Sequence, residues 1–185
     1  MNDKLRFPAL TPDNMTPEQR KLFDDIASGP RGGVNGPFEP LLYNPELGRL
    51  VQNLGEFLRF RSRLSPPLFE LCVLVAARHW SCQYEWYMHG RLADKVGLPP
   101  AIIEAIREGR VPPEMSADEK LVYDVCTETH RNGRLSDELF NRAEERFGRE
   151  GVLELLACCG YYSLLAFVLN VSDDPLPNDA PPPLK

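Results

Sequence analysis

The segment from Leu68 to Ala77 constrains the fold more than any other part of the chain, because every residue in it except Glu70 is apolar. A helix that is apolar on every side is buried on every side. A carboxylate at Glu70 must then be paired, hydrogen-bonded or protonated, since an isolated buried charge is too costly. Alternatively, Glu70 lies in the first turn, where it caps the helix amides and stays partly hydrated.

Helix signals recur along the rest of the chain. Capping-box patterns begin at Thr16 and Ser116, and prolines follow several other cap residues. No stretch alternates apolar and polar residues for long enough to require a strand. The sequence therefore predicts an all-α fold of about eight helices. We expect these helices near residues 17–28, 45–60, 66–79, 81–96, 99–108, 116–132, 136–147 and 149–170.

The chain has 185 residues, of which 43% are hydrophobic and 26% are charged. This composition predicts a single domain over residues 1–185, with its core at about 17–172. The glycine-rich segment 29–37 lacks the Lys-Ser/Thr pair of a phosphate-binding loop and is predicted to be a surface loop. The proline-rich tail, residues 173–185, is predicted to be extended, either against a neighbouring subunit or mobile.

Charge and cysteine content exclude several classes of partner. The net charge of −6 gives no indication of a broad basic face for nucleic acid or an anionic membrane. The uncharged stretch Leu155–Ser172 includes polar residues and ends without Lys or Arg, so we predict a fully buried helix and no membrane span. Residues 1–6 lack the apolar segment of a secretory signal. The five cysteines are then expected to be reduced thiols in a cytoplasmic protein.

The segment 81–97 carries the pattern that most favours chemistry. Cys82, Glu85 and His89 are separated by steps of three and four, which place them on one face of a helix. An imidazole one turn from a carboxylate can exchange a proton while the carboxylate orients it. The same pair also occurs as a plain surface ion pair. The neighbouring aromatic residues favour a partly buried position and are Tyr84, Trp86 and Tyr87.

The spacing of Glu70, Cys82, Glu85 and His89 resembles the carboxymuconolactone decarboxylase and alkylhydroperoxidase D-like superfamily. The strings 77–99 and 160–170 are similar to its decarboxylase-like branch, and the resemblance covers about residues 40–175. It implies an alkylhydroperoxidase D-like helical bundle with extended N- and C-terminal arms. It also implies a small-molecule substrate and a homo-oligomer, trimeric or hexameric, with sites near subunit contacts.

One departure from the peroxidase branch of that superfamily affects the predicted chemistry. The branch uses Glu, then Cys-x-x-Cys, then His, whereas Glu85 occupies the second cysteine position. A dithiol peroxidase needs a second thiol within bonding reach, and the charge of Glu85 would raise the pKa of Cys82. Cys72 or the Cys158–Cys159 pair could still resolve a disulfide. In the decarboxylase-like branch a cysteine here is dispensable, so Cys82 can be a small buried residue.

The resemblance implies three functions. The first is a cofactor-independent lyase on a small carboxylated ring or lactone, with His89 as the proton donor, oriented by Glu85. Glu70 would be either a supporting partner behind these residues or a second acid. Arg78 would bind a substrate carboxylate, and Tyr84 and Trp86 are further expected substrate-binding residues. The second is a peroxidase that uses Cys82. The third is a non-catalytic member that binds a small ligand or serves an assembly.

A metal site is an alternative for the same residues. Glu70, Glu85, His89 and His79 could supply ligands. Di-iron carboxylate bundles, however, use Glu-x-x-His motifs, and this helix offers a single Glu-x-x-x-His. We therefore expect neither a metal nor a cofactor.

Overall fold

The computed structural model describes residues 5–185, and the regular structure in this range is helical. The helices are α1 (Pro17–Ser28), α2 (Phe38–Leu41), α3 (Pro45–Phe60), α4 (Pro66–His79), α5 (Gln83–Lys95), α6 (Pro100–Arg107), α7 (Ala117–Asn132) and α8 (Asp137–Ser172). A single 3-10 turn, Pro177–Asp179, follows them. The prediction of an all-α fold with about eight helices is confirmed.

Local capping explains where several helices begin. The capping boxes of Thr16 and Ser116 are both formed, and Asn44 accepts a hydrogen bond from the Leu47 amide at 3.1 Å. The two helices predicted over 136–147 and 149–170 are the two halves of α8, which are separated by Gly148. This residue has φ 68° and ψ 169°, outside the helical region. The short α2 was not predicted, because one turn leaves no periodic pattern.

Helix α4 lies at the centre of the core and packs against α5, α6, α7 and α8. Every residue from Leu68 to Ala77 is buried, including Glu70. Each fully buried leucine there stabilises the fold by about 1.5–3 kcal/mol relative to exposure. The prediction of a helix surrounded on all sides is confirmed, and Glu70 lies beyond the first turn, which removes the capping alternative.

Helix α8 is long and apolar enough to cross a membrane by length and composition alone, and 44% of its most apolar window is buried. The prediction that its second half is buried on every side is wrong. One face packs on α4 and α7, while an outward apolar face is exposed and includes Leu153, Leu164, Phe167 and Val171. The absence of charged residues from a helix does not show how many of its faces are packed against the rest of the protein.

The proline-rich tail folds back onto its own chain. The Leu184 amide donates a hydrogen bond to Oε1 of Gln83 at 2.9 Å, and Nε2 of Gln83 donates to the Leu184 carbonyl at 3.2 Å. The Leu184 side chain is buried. The tail is mostly extended, as predicted, and the surface it lies against is α5 of its own chain.

Candidate active site

A buried hydrogen bond links the two central helices. Nδ1 of His89, on α5, lies 2.7 Å from Oε2 of Glu70, on α4, and both side chains are almost fully buried. A carboxylate can only accept a hydrogen bond, so we assign the proton of this bond to Nδ1. Nε2 is then the ring nitrogen that is free to exchange a proton. This is the arrangement of a general acid or base that is oriented by a carboxylate.

His89 lies in the wall of a cavity of about 260 Å³, which lies between α5, α8, the end of α3 and the 29–37 loop. Its apolar lining includes Phe38, Phe60, Met88, Leu92, Leu165 and Leu169. Its polar lining includes Arg31, Asn35, Arg59, Tyr84, Glu85, His89, Tyr161 and Tyr162. An apolar cavity with a few convergent polar groups is the usual form of a small-molecule site.

Glu85 has a different role from the predicted one. It lines the cavity one turn before His89, but it does not hydrogen-bond to the imidazole; Glu70 does. Both carboxyl oxygens of Glu85 are buried without a hydrogen-bond partner among the described residues. Burial raises the pKa of Glu85 well above its ordinary value, which favours the neutral acid. A neutral carboxyl group can donate a hydrogen bond to a bound molecule.

Two guanidinium groups enter the same cavity, and the sequence analysis missed both. Arg31 lies in the 29–37 loop, with its guanidinium 4.4 Å from the centroid of the Phe38 ring and its Nε hydrogen-bonded to Gln52. Arg59 lies in the last turn of α3. Neither has a carboxylate partner among residues 5–185. These cations suit a small anionic ligand.

Tyr161 and Tyr162 complete the wall that α8 contributes. The Tyr162 ring packs edge-on against His89 with centroids 5.1 Å apart. The pKa of Tyr161 is raised to about 12 because burial outweighs the positive charge of Arg31. Its hydroxyl group is buried and has no hydrogen-bond partner among the described residues. Like Glu85, Tyr161 is thus a neutral hydrogen-bond donor that a ligand can satisfy.

The structure brings together some of the predicted site residues and separates others. Glu70, Glu85, His89 and Tyr84 lie at the cavity or directly behind it. Trp86, one residue beyond Glu85 on α5, lines a different depression, beside the tail. Consecutive residues on a helix project about 100° apart, so Trp86 and Glu85 point in different directions. The prediction that Trp86 binds substrate in the same cavity as His89 is therefore not met.

Arg78 and His79 also lie away from this cavity. Arg78, at the end of α4, lines a separate pocket beside α6 and α7, so it cannot receive a carboxylate held at His89. His79 lines that pocket as well, and its ring stacks on His130 with centroids 5.1 Å apart. The metal-ligand set of Glu70, Glu85, His89 and His79 is accordingly not assembled in one place.

Cys82 is fully buried just before α5 and does not line the cavity. Burial is the largest cause that raises its pKa, to about 12. It has no hydrogen-bonded contact with another thiol among the described residues. A reactive cysteine needs an accessible, electropositive environment that stabilises the thiolate. The environment of Cys82 is instead inaccessible and disfavours the thiolate.

The fold and this cavity define a class of protein: a helical bundle with a buried glutamate–histidine pair beside a cavity. Residues 45–125, a little under half of the chain, match the sequence model of the Carboxymuconolactone decarboxylase family. The match includes α3 to α5, which carry Glu70, Glu85 and His89. This match supports the resemblance to the carboxymuconolactone decarboxylase and alkylhydroperoxidase D-like superfamily. Among curated protein sequences, none matches it significantly.

Solved structures show the same fold at low sequence identity. An uncharacterized peroxidase-related protein from Silicibacter sp. TM1040 is 18% identical, with a TM-score of 0.73 over 91% of this chain and 88% of that one. An uncharacterized peroxidase-related protein with an alkylhydroperoxidase AhpD core, from Ralstonia eutropha JMP134, is 15% identical, with a TM-score of 0.72 over 90% and 88%. The debrominase Bmp8, a cysteine-to-alanine variant in complex with 2,3,4-tribromopyrrole, is 12% identical, with a TM-score of 0.70 over 96% and 94%.

Proposed function

We propose that the protein is an acid–base enzyme of the lyase type, a decarboxylase or a close relative of one, that acts on a small carboxylated ring or lactone. The observation that carries the proposal is the buried Glu70–His89 pair, which meets the cavity through His89. The family match to residues 45–125 supports the same class of reaction. The proposal needs no cofactor, because the chain supplies the proton donor and the substrate's own carbonyl accepts the electrons.

The cavity favours a substrate with an anionic group that stays in place during the reaction. Arg31 and Arg59 are the groups that would hold such an anion through charge-assisted hydrogen bonds. The carboxylate that is lost would face the apolar part of the wall. It leaves as neutral carbon dioxide, so apolar surroundings favour its departure.

The chemical step requires one proton on carbon. The bond between carbon and the departing carboxylate breaks, its electron pair moves into a neighbouring carbonyl or conjugated system, and carbon dioxide leaves. Protonated His89 then donates its Nε2 proton to the carbanion, while Glu70 stabilises the positive charge on the ring. Neutral Glu85 would donate a hydrogen bond to the oxygen on which negative charge accumulates. His89 regains its proton from solvent.

The structural neighbours named as peroxidase-related raise a second function, thiol peroxidation through Cys82. The surroundings of Cys82 argue against it. A peroxidatic thiolate must form readily and must meet a resolving thiol, whereas Cys82 has a pKa of about 12 and no thiol hydrogen-bonded to it among the described residues. Acid–base chemistry is therefore the better-supported function.

The test is turnover of a panel of small lactones and cyclic acids that carry two carboxylates, followed by carbon dioxide release. For any substrate that the native protein turns over, His89→Gln should lower kcat by at least about 100-fold, which is typical for loss of a general acid. Glu70→Gln should lower kcat by a smaller factor. Cys82→Ser is the matched control and should keep kcat within a few-fold of the native value.

Three outcomes would contradict the proposal. The first is turnover that survives in His89→Gln. The second is peroxide consumption by the native protein that is lost in Cys82→Ser and kept in His89→Gln, which would favour the peroxidase. The third is binding of panel compounds in the cavity without turnover of any of them, which would indicate a ligand-binding protein.

A further inference from the structure

Three cysteine side chains meet in the core outside the cavity. Cys72 lies on α4, Cys126 on α7 and Cys159 on α8, and all three are essentially inaccessible to solvent. Their Sγ atoms all lie within 4.8 Å of one another, and Sγ of Cys72 is 3.7 Å from Sγ of Cys159. They are far apart in the sequence and come from three different helices. The acid–base chemistry at His89 uses none of them.

The spacing of the sulfur atoms is close to that of a zinc site. Zinc binds thiolates at about 2.3 Å in a tetrahedral arrangement, which puts two sulfur ligands about 3.8 Å apart. The distance between Cys72 and Cys159 already has this value. Cys126 needs a shift of at most about 1 Å to complete the triangle. Thiolate ligands favour zinc over hard cations such as magnesium or calcium.

The nearest histidine along α7 is the candidate for a fourth ligand, and it lies outside the group of three sulfur atoms that are within 4.8 Å of one another. His130 follows Cys126 by four residues on α7, so both side chains lie on one face of that helix. Nε2 of His130 is buried and has no hydrogen-bond partner among the described residues.

We propose that Cys72, Cys126, Cys159 and His130 form a structural zinc site that ties α4, α7 and α8 together. Three cysteines and one histidine are a standard ligand set of structural zinc. On binding, each thiol releases its proton to solvent, three protons leave for each zinc ion, and the occupied site has a net charge of −1. Structural zinc of this kind stabilises the fold that binds it.

The surroundings of His130 support this proposal in two ways. His130 lines a solvent-connected pocket of about 230 Å³, which gives an ion a way in from solvent. The guanidinium groups of Arg78 and Arg131 line the same pocket, and neither is paired with a carboxylate among residues 5–185. Their positive charge would offset the negative charge of the occupied site.

The direct test is metal content and cobalt spectroscopy on the full chain. Protein treated with a chelator under reducing conditions and then supplied with one equivalent of zinc should retain about one zinc ion per chain after gel filtration. Cobalt(II) in place of zinc should give the sulfur-to-cobalt charge-transfer bands and the intense visible bands of a tetrahedral thiolate site. Zinc should also raise the thermal midpoint in a concentration-dependent way.

Variants locate the ion. Cys126→Ala and Cys159→Ser should each lower the intensity of the cobalt charge-transfer bands by about a third or more, and His130→Gln should change the visible bands and weaken zinc binding by at least about tenfold. Cys82→Ser is the matched control, because that cysteine is equally buried and lies outside the cluster. It should keep both zinc content and spectrum.

Two results would overturn the site. One is reduced native protein that retains less than about a tenth of a zinc ion per chain and shows no tetrahedral cobalt spectrum, a result that does not depend on any variant folding. The other is zinc that stays bound in folded Cys126→Ala and Cys159→Ser but is lost in His89→Gln. That result would place the metal at the cavity and would also contradict the proposed function.

Discussion

The hydroxyl group of Tyr161 lies directly against the backbone of Gly55, so closely that a methyl group on the Gly55 Cα would overlap with it and with Nη2 of Arg31. This contact brings α3 against the cavity wall formed by α8. It also fixes the distance between the two helices at the point where Arg31 enters the cavity. The shape of the site therefore requires glycine at position 55.

Gly55→Ala should consequently damage the site although alanine is the better helix former. The added methyl group forces Tyr161 and Arg31 to move, and such overpacking costs about 1–3 kcal/mol in the free energy of unfolding. We expect kcat/KM on any accepted substrate to fall by at least about tenfold. Urea denaturation and steady-state kinetics measure the two effects.

Gly160→Ala is the control, because a Cβ there meets no atom within 4 Å. This substitution should stabilise the protein by about 0.5–1 kcal/mol. Equal stability changes in both variants would contradict the steric argument.

The raised pKa of Glu85 predicts how stability depends on pH. Its pKa is 4.5 before burial raises it, so above about pH 4.5 the unfolded chain loses this proton while the folded protein keeps it. The folded state then binds more protons, and its stability falls as pH rises, by up to about 1.4 kcal/mol per pH unit, until the folded-state pKa is reached. Glu85→Gln cannot ionise and should lack this loss. Urea unfolding of both proteins between pH 4.5 and pH 8 should show curves that diverge with rising pH; parallel curves would mean that Glu85 is ionised in the fold.

Arg59 is expected to contribute to anion binding. Arg59→Met removes the charge and keeps most of the apolar stem, so KM for an anionic substrate should rise by about 10- to 100-fold, equivalent to about 1.5–3 kcal/mol for a hydrogen bond to a charged group. The rise in KM should be smaller at high ionic strength, because salt weakens the native interaction. Arg49→Met is the matched control on the same helix, away from the cavity lining. A similar KM for both variants would exclude this role.

The environment of Cys82 predicts slow reaction with alkylating reagents. A thiol with a pKa of about 12 forms far less thiolate at neutral pH than a free cysteine of pKa about 8.5, and this difference alone slows the reaction with iodoacetamide by about 3,000-fold. Peptide mass spectrometry after timed alkylation measures the rate at Cys82 in native protein. The same peptide in urea-unfolded protein gives the unhindered rate. Rapid alkylation of native Cys82 would restore the peroxidase as a candidate.

The sequence was sufficient to predict the helical scaffold and part of the site. Cap residues, prolines and glycines act within a few residues of each helix end, so the boundaries near Thr16 and Ser116 could be predicted locally. Glu70 was conspicuous because it interrupts an apolar helix, and His89 because of its spacing from Glu85. The structure places Glu70 and His89 in direct contact.

The remaining features depend on packing between distant segments. Which carboxylate orients His89 is decided by the register of α5 on α4, and spacing along α5 alone favoured Glu85. Arg31 and Arg59 come from a loop and a helix end, where an arginine has many ordinary roles, so no local signal identified them. The meeting of Cys72, Cys126 and Cys159 likewise requires three helices to pack together.

The cavity at His89 sets an upper limit on what can be handled there. Pockets for drug-sized ligands measure about 300–1,000 Å³, and this one, at about 260 Å³, is smaller. A dinucleotide, a peptide chain or a fatty acyl group would protrude into solvent. Compound screening can therefore concentrate on fragment-sized anions with one ring and few rotatable bonds, for which tight enclosure costs little conformational entropy.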